Sequence, residues 1–176
     1  MTGPCPTCGL DPDTIAPTDA VVALRSFPRR WRAALSPADA EEDTEAGLRR
    51  RPEPSTWSAL EHAGHVGEVL AAADDRIRRV LVSERPELPP VGDPDERVRA
   101  AGYNDRDVGA VLDALASGAD RLARTVEGVP HDGWQRTGWR DGQELTVLWM
   151  ARDAVHEGSH HLRDAGRALR AARGRP

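Results

Sequence analysis

The sequence has no lysine, two cysteines, one tyrosine and one phenylalanine among its 176 residues. It also has no apolar run near the roughly 18 residues that a membrane-spanning helix needs, so no membrane protein is expected. The first residues, "MTGPCPTCGL", lack the basic and apolar regions of a secretory signal. These absences predict a soluble cytoplasmic protein of one domain.

The charge composition excludes one broad class of partner. The net charge is −5 and the isoelectric point is near 5.7, which argues against a general nucleic-acid binder. All 24 basic residues are arginine. Because the codons of arginine and alanine are GC-rich and those of lysine are not, we infer a high-GC bacterial host.

Long segments rich in Ala, Leu and Arg predict an all-α protein. After an N-terminal arm (1–17), residues 18–176 are predicted to form a four-helix bundle with long crossover connections. The predicted helices cover 18–35, about 55–83, 105–128 and about 144–172. Residues 84–104 are interpreted as too proline-rich for regular structure. Two long connections suggest an antiparallel bundle.

Half of the six histidines lie in one segment, "AVHEGSHHL". On a helix, His156 and His160 point about 40° apart, at the margin of the apolar stripe, whereas His161 points well over 100° away from His156. Two imidazoles at i, i+4 can bind one metal ion from a single helix. We therefore expect His156 and His160 to act together and His161 to face elsewhere.

A catalytic zinc site commonly takes three protein ligands and keeps one position open. The second helix offers His62 and His65, and its geometry alone leaves both as candidates. The alternative for all of these histidines is a hydrogen-bonded place in the core or on the surface.

Three segments together resemble the DinB superfamily, particularly its actinobacterial members near the mycothiol-dependent enzymes. They are "WSALEHAGH", "GYNDRDVGAVLDAL" and "DGQELTVLWMARDAVHEGSHHL". The resemblance implies a four-helix bundle in which three histidines hold a divalent metal, zinc or nickel, at the open end of the core. Carried over by the spacing from Trp57 and Glu61, it implies His65 as the first ligand, with His156 and His160 as the others.

The resemblance also implies an activity, because characterised relatives include thiol-dependent transferases and isomerases. We predict a metal-dependent S-transferase that uses a low-molecular-weight thiol on a small electrophile. The high-GC host suits mycothiol, and metal coordination would keep such a thiol as thiolate. The alternatives are a hydrolase that uses metal-activated water and a non-enzymatic metal-binding or stress-response protein. A homodimer is left open.

Four further residues are candidates around this site. Glu61 and Glu68 lie one turn from His65 and could orient its ring. Trp149 points in nearly the same direction as His156 and could form a wall of the pocket. Arg140 could bind a carboxylate of thiol or substrate. Solvent-facing charges and core packing are the alternatives.

The two cysteines, Cys5 and Cys8 in "CPTCG", have the spacing of a zinc knuckle or a redox pair. Two thiolates do not complete a structural zinc site, which would need further ligands. We predict two free thiols on the arm, outside the histidine site. Secondary metal binding and a regulatory disulfide are the alternatives.

Overall fold

A computed structural model describes residues 3–36 and 44–174. Within these ranges the chain forms six α-helices and one β-hairpin. The helices are α1 (Pro17–Leu35), α2 (Thr44–Arg49), α3 (Ala59–Val82), α4 (Pro94–Ala101), α5 (Val108–Glu127) and α6 (Val147–Ala172). The strands are β1 (Thr137–Arg140) and β2 (Gln143–Thr146), which pair antiparallel.

The four longest helices form a bundle and confirm the predicted all-α class. Both α1 and α3 pack against α5 and α6. The core between them contains large, fully buried side chains: Leu24, Phe27, Trp31, Leu60, Leu70, Ile77, Leu115 and Leu122. None of the described helices is long and apolar enough to cross a membrane.

The directions of the helices differ from the expected antiparallel arrangement. Residues of α3 and α5 meet in the same order, Gly67 beside Leu115 and Asp74 beside Thr125, so these two helices run parallel. By the same argument α1 and α6 run parallel, because Phe27 of α1 packs on Gly158 of α6 and the residues before α1 meet the start of α6. Because α3 and α5 follow one another among the long helices and run parallel, the segment between them must return along the bundle, which explains its length.

The start of α3 is fixed by a capping box. The Ser58 hydroxyl accepts a hydrogen bond from the Glu61 amide at 3.1 Å, and the Glu61 carboxylate accepts one from the Ser58 amide at 2.8 Å. These bonds satisfy two amides that a helix leaves without partners. The helix therefore begins at Ala59, a few residues later than predicted, and its first two turns carry His62 and His65.

Three short elements, α2, α4 and the β-hairpin, lie where no regular structure was predicted. Helix α4 begins at Pro94 after an Asp93 cap, and proline at the first helical position is favourable because its missing amide would have no partner there. The hairpin turns at Asp141 and Gly142, which both have positive φ, the conformation that an Asp-Gly turn supplies. Helix α1 also continues across Pro28.

Candidate metal centres

Helix α6 carries two interleaved pairs of metal-ligand side chains. His156 and His160 form one i, i+4 pair, and Glu157 and His161 form the other. Because the pairs are offset by one residue, they point about 100° apart around the helix. The first pair meets the N-terminal arm and the second meets α3. Each pair belongs to a different cluster.

The α3-facing cluster consists of His65, Glu157 and His161. One potential ligand atom from each lies within 4.8 Å of the others. His161 Nε2 is 3.4 Å from a Glu157 carboxylate oxygen. The His65 side chain is buried, and its Nδ1 atom has no hydrogen-bond partner. A buried polar atom without a partner is costly. The unpartnered Nδ1 atom therefore indicates that His65 binds a ligand.

The electrostatics keep this cluster in the protonation states that a metal requires. Burial, together with the nearby His161, lowers the pKa of His65 to about 4. Burial acts to raise the pKa of Glu157, but the hydrogen bond with His161 and the charges of neighbouring histidines outweigh it and lower that pKa. At neutral pH the cluster therefore offers a neutral imidazole and a carboxylate, as metal binding needs.

A third histidine and a tryptophan pack against the α3-facing cluster. His62 Nδ1 lies 3.0 Å from His161 Nδ1, and burial lowers the pKa of His62 to about 3. The Trp57 ring packs against all three rings of His62, His65 and His161, with centroids 4.9–5.7 Å apart. The Trp57 ring therefore covers part of the α3-facing cluster.

A cavity of about 460 Å³ adjoins these residues. Its lining includes Trp57, His62, Asp164 and Arg167. The Arg167 guanidinium donates to the Asp164 carboxylate and is half exposed. The volume is in the range of small-molecule sites, so a ligand in this cavity would contact Trp57 and His62, which pack against the α3-facing cluster.

The arm-facing cluster consists of Cys5, Cys8, His156 and His160. One potential ligand atom from each lies within 4.8 Å of the others, and Cys5 Sγ is 3.4 Å from His160 Nδ1. Both thiols are buried. The prediction that the cysteines lie outside the histidine site is therefore wrong, because the arm folds back onto α6.

The resemblance implied that His65, His156 and His160 bind one metal, but the structure places them in two clusters. His65 lies with Glu157 and His161, whereas His156 and His160 lie with the cysteines. His161 points away from His156 and His160, as expected, but in that direction it meets His62 of α3 and joins a second cluster. A helical wheel gives the directions of the side chains relative to one another. It does not show which neighbouring element each side chain faces. The offset pair of Glu157 and His161 was the signal that could have revealed the second face.

The predicted supporting residues have other partners. Glu61 binds Arg51 at 2.8 Å as well as Ser58. Glu68 accepts hydrogen bonds from the Tyr103 hydroxyl and from Arg97. Both carboxylates are thus engaged away from the His65 ring.

Arg140 and Trp149 contact each other. The Arg140 guanidinium lies over the Trp149 ring at 5.4 Å from its centroid. Such a cation–π contact is stabilising, and it gives both residues a packing role at the start of α6. Neither lines the cavity beside His62.

The sequence profile of the DinB superfamily matches residues 23–165. The chain belongs to this superfamily. No curated protein is significantly similar to it in sequence.

Two solved structures show the same fold. One is YfiT from Bacillus subtilis, described as a probable metal-dependent hydrolase with an unusual four-helix bundle topology. It has a TM-score of 0.77 and 15% identity over 91% of this chain and 89% of its own. The other is the mycothiol-dependent maleylpyruvate isomerase, with a TM-score of 0.62 and 16% identity over 86% of this chain. The match covers 62% of the isomerase, less than two thirds of its length.

Proposed function

We propose that the α3-facing cluster binds a catalytic divalent metal, zinc or nickel, and that the protein transfers a low-molecular-weight thiol to a small electrophile. The observation that carries the proposal is the convergence of two histidines and one carboxylate, with His65 Nδ1 unpartnered, against His62 and Trp57, which line a cavity. Two histidines and a glutamate are a known catalytic zinc set that leaves a coordination position open.

The residue behind the proposed ligand His161 also fits a metal site. A hydrogen bond between the Nδ1 atoms of His62 and His161 requires one of them to carry the proton. With His161 as the donor, its Nε2 atom keeps a lone pair on the side of Glu157, 3.4 Å away. Outer partners of this kind fix the tautomer and the orientation of a ligating ring. His62 is thus a positioning residue in this proposal.

The cavity supplies a place for the reactants. Trp57 and the alanines of α6 provide apolar surface, and Arg167 provides a cation at the rim. A carboxylate or phosphate of a thiol or substrate would bind Arg167. Holding two reactants side by side in one cavity accounts for much of the rate gain in such transfers.

When bound, the metal would supply thiolate stabilisation, since a coordinated thiol is deprotonated at neutral pH. Two observations support mycothiol as the thiol. The lysine-free composition suits an actinobacterial host, and one structure with this fold is mycothiol-dependent. The chain's own residues would bind and orient the thiol and exclude water.

A metal-dependent hydrolase is the second candidate. A carboxylate, Asp164, lines the same cavity as His62 and lies close to both His62 and His161. It could accept a proton from an attacking water. The similar structure from Bacillus subtilis is described as a probable hydrolase.

One set of assays distinguishes these functions. The full-length protein is assayed with a model electrophile and mycothiol or glutathione, and separately with activated esters and amides, before and after chelation. We expect thiol transfer that chelator abolishes and added metal restores. His65→Ala should remove it, while His131→Ala, at an exposed histidine outside both clusters, should not. Chelator-insensitive transfer, or hydrolysis without any thiol transfer, would overturn the transferase proposal.

A further inference from the structure

We propose that Cys5, Cys8, His156 and His160 form a second, closed metal site that binds one zinc ion and fastens the N-terminal arm to α6. The proposal does not depend on the proposed function, because this cluster shares no ligand with the α3-facing cluster. Its role is structural.

The arm presents both thiols on one side of a tight turn. The Gly9 amide donates to the Cys5 carbonyl at 2.7 Å, and the Cys5 amide donates to the Leu10 carbonyl at 2.8 Å. Gly9 has a φ of +72°, a left-handed conformation that glycine adopts without strain. Cys5 and Cys8 are only 5% and 3% exposed. Both sulfur atoms therefore face α6 rather than solvent.

Helix α6 presents two imidazoles to these thiols. In tetrahedral zinc sites, Zn–S distances near 2.3 Å and Zn–N distances near 2.0–2.1 Å separate ligand atoms by roughly 3.3–3.8 Å. Cys5 Sγ and His160 Nδ1 are already 3.4 Å apart, and all four ligand atoms lie within 4.8 Å of one another. Small side-chain movements would close the cluster around one ion.

The hydrogen bonding of the imidazole nitrogens of His156 and His160 is consistent with metal ligation. His160 Nε2 is 3.0 Å from an Asp164 carboxylate oxygen, which leaves Nδ1 directed at Cys5. A carboxylate behind a ligating histidine is the usual outer layer of a zinc site. The buried Nε2 atom of His156 has no hydrogen-bond partner, so it lacks the contact that a ligand would supply.

The donor chemistry selects zinc. Two thiolates and two neutral imidazoles cancel the charge of a dication, so the filled site can be buried without a net charge. Cys-x2-Cys with His-x3-His is the spacing of structural zinc sites, and mixed sulfur and nitrogen ligands favour zinc over magnesium or calcium. Four protein ligands leave no open position, unlike the three of the α3-facing cluster.

A redox role for the cysteines fits the arrangement less well. A thioredoxin-like pair needs a strand–helix–strand context, and the described residues have only one two-stranded hairpin. A Cys5–Cys8 disulfide would also leave His156 and His160 facing sulfur atoms that no longer ligate. A metal that joins the two histidines to the thiols accounts for both the buried thiols and the unpartnered Nε2 atom of His156.

Cobalt substitution tests the proposal. The full-length chain is stripped with chelator under reducing conditions and loaded with Co²⁺, which gives a thiolate-to-cobalt charge-transfer band in the near ultraviolet. We expect two Co²⁺ per chain and this band. The double variant Cys5→Ser, Cys8→Ser should lose one ion and the band, whereas His65→Ala should lose one ion and keep the band. A band that persists without the cysteines, or that disappears with His65, would overturn the site.

A second measurement avoids any folding defect of the double variant. The two thiols of the unmodified protein should react with a thiol reagent about tenfold or more slowly when zinc is bound than after chelation, since the metal holds them as ligands in a closed site. His131→Ala serves as the control and should behave like the unmodified protein. Equal rates with and without zinc, or isolation of the protein as a Cys5–Cys8 disulfide without the second metal, would contradict the proposal.

Discussion

His160 and His161 are adjacent in the sequence, but their rings belong to different clusters. His160 Nδ1 lies 3.4 Å from Cys5 Sγ, while His161 Nδ1 lies 3.0 Å from His62 Nδ1. A step of one residue turns a helix by about 100°. One short segment of α6 can therefore contact the N-terminal arm with one face and α3 with another.

This separation predicts opposite effects for two neighbouring variants. His161→Ala should abolish activity and lower the metal content by one ion per chain, while the thiolate-to-cobalt band remains. His160→Ala should lose the other ion and, with it, that band. Metal analysis and absorbance of the cobalt-loaded proteins measure both effects. If the two variants lost the same ion, a single centre would hold both histidines.

The small residue between the two ligand pairs should be needed for packing. Gly158 of α6 lies against the Phe27 ring, and a β-carbon there would overlap ring atoms. Overpacking of a core typically costs about 1–3 kcal/mol, so Gly158→Ala should lower the free energy of unfolding by that amount in urea titrations.

Gly166 of the same helix is the matched control. A β-carbon at Gly166 would meet only the end of the Arg170 side chain at an ordinary distance of 3.6 Å. Because alanine is the better helix former by roughly 0.5–1 kcal/mol, Gly166→Ala should leave stability unchanged or raise it. Equal losses in both variants would show that Phe27 does not limit the space at Gly158.

The bundle could be predicted from the sequence because its helices are long and their amphipathic patterns are strong. Ser58, Asp107 and Thr146 cap α3, α5 and α6 close to the predicted starts. Helix directions could not be predicted, since a periodic pattern is the same whichever way a neighbour runs. Helix α4 was missed because residues 84–104 were interpreted as too proline-rich for regular structure, although Pro94 occupies the first turn of this helix, where proline is favourable.

The metal ligands, too, could be predicted only in part from the sequence. The i, i+4 geometry of His156 and His160 was evident, and so was the Cys5–Cys8 spacing. That these two features meet depends on how the arm folds back on α6, which no local pattern encodes. Glu157 was not predicted as a ligand, because a lone carboxylate on a helix has no feature that distinguishes it from a solvent-facing charge. The i, i+4 pair of Glu157 and His161 is visible in the sequence, but the element that it meets is known only when α3 is placed.

The ion pair at the start of α3 should make stability depend on pH. Burial acts to raise the pKa of Glu61, but hydrogen bonds from Arg51 and Ser58 outweigh it and lower that pKa below its ordinary value. A group with a lowered folded-state pKa stabilises the fold above its unfolded pKa, and the contribution disappears as the pH falls through the folded value. The contribution should therefore be full at pH 7 and diminish in acid.

Glu61→Gln tests this expectation. At pH 7 the variant should lose about 2 kcal/mol of unfolding free energy, a typical value for hydrogen bonds to a charged group. The difference from the unmodified protein should shrink as the pH is lowered below 4. Urea unfolding in the presence of chelator keeps metal release out of the comparison. The exposed Glu53→Gln serves as the control, and a loss at Glu61 that is independent of pH would exclude the ion pair as its cause.

The contact between His62 and His161 predicts that a residue outside the ligand set controls metal affinity. Loss of an outer hydrogen bond to a ligating histidine typically weakens metal binding about 10–100-fold. His62→Ala should therefore raise the dissociation constant for zinc at the α3-facing cluster by that factor, measured by competition with a chromophoric chelator. The thiolate-to-cobalt band of the arm-facing cluster should not change, and His131→Ala should bind like the unmodified protein. If His62→Ala removed the ion completely and His65→Ala did not, His62 rather than His65 would be the ligand that α3 contributes.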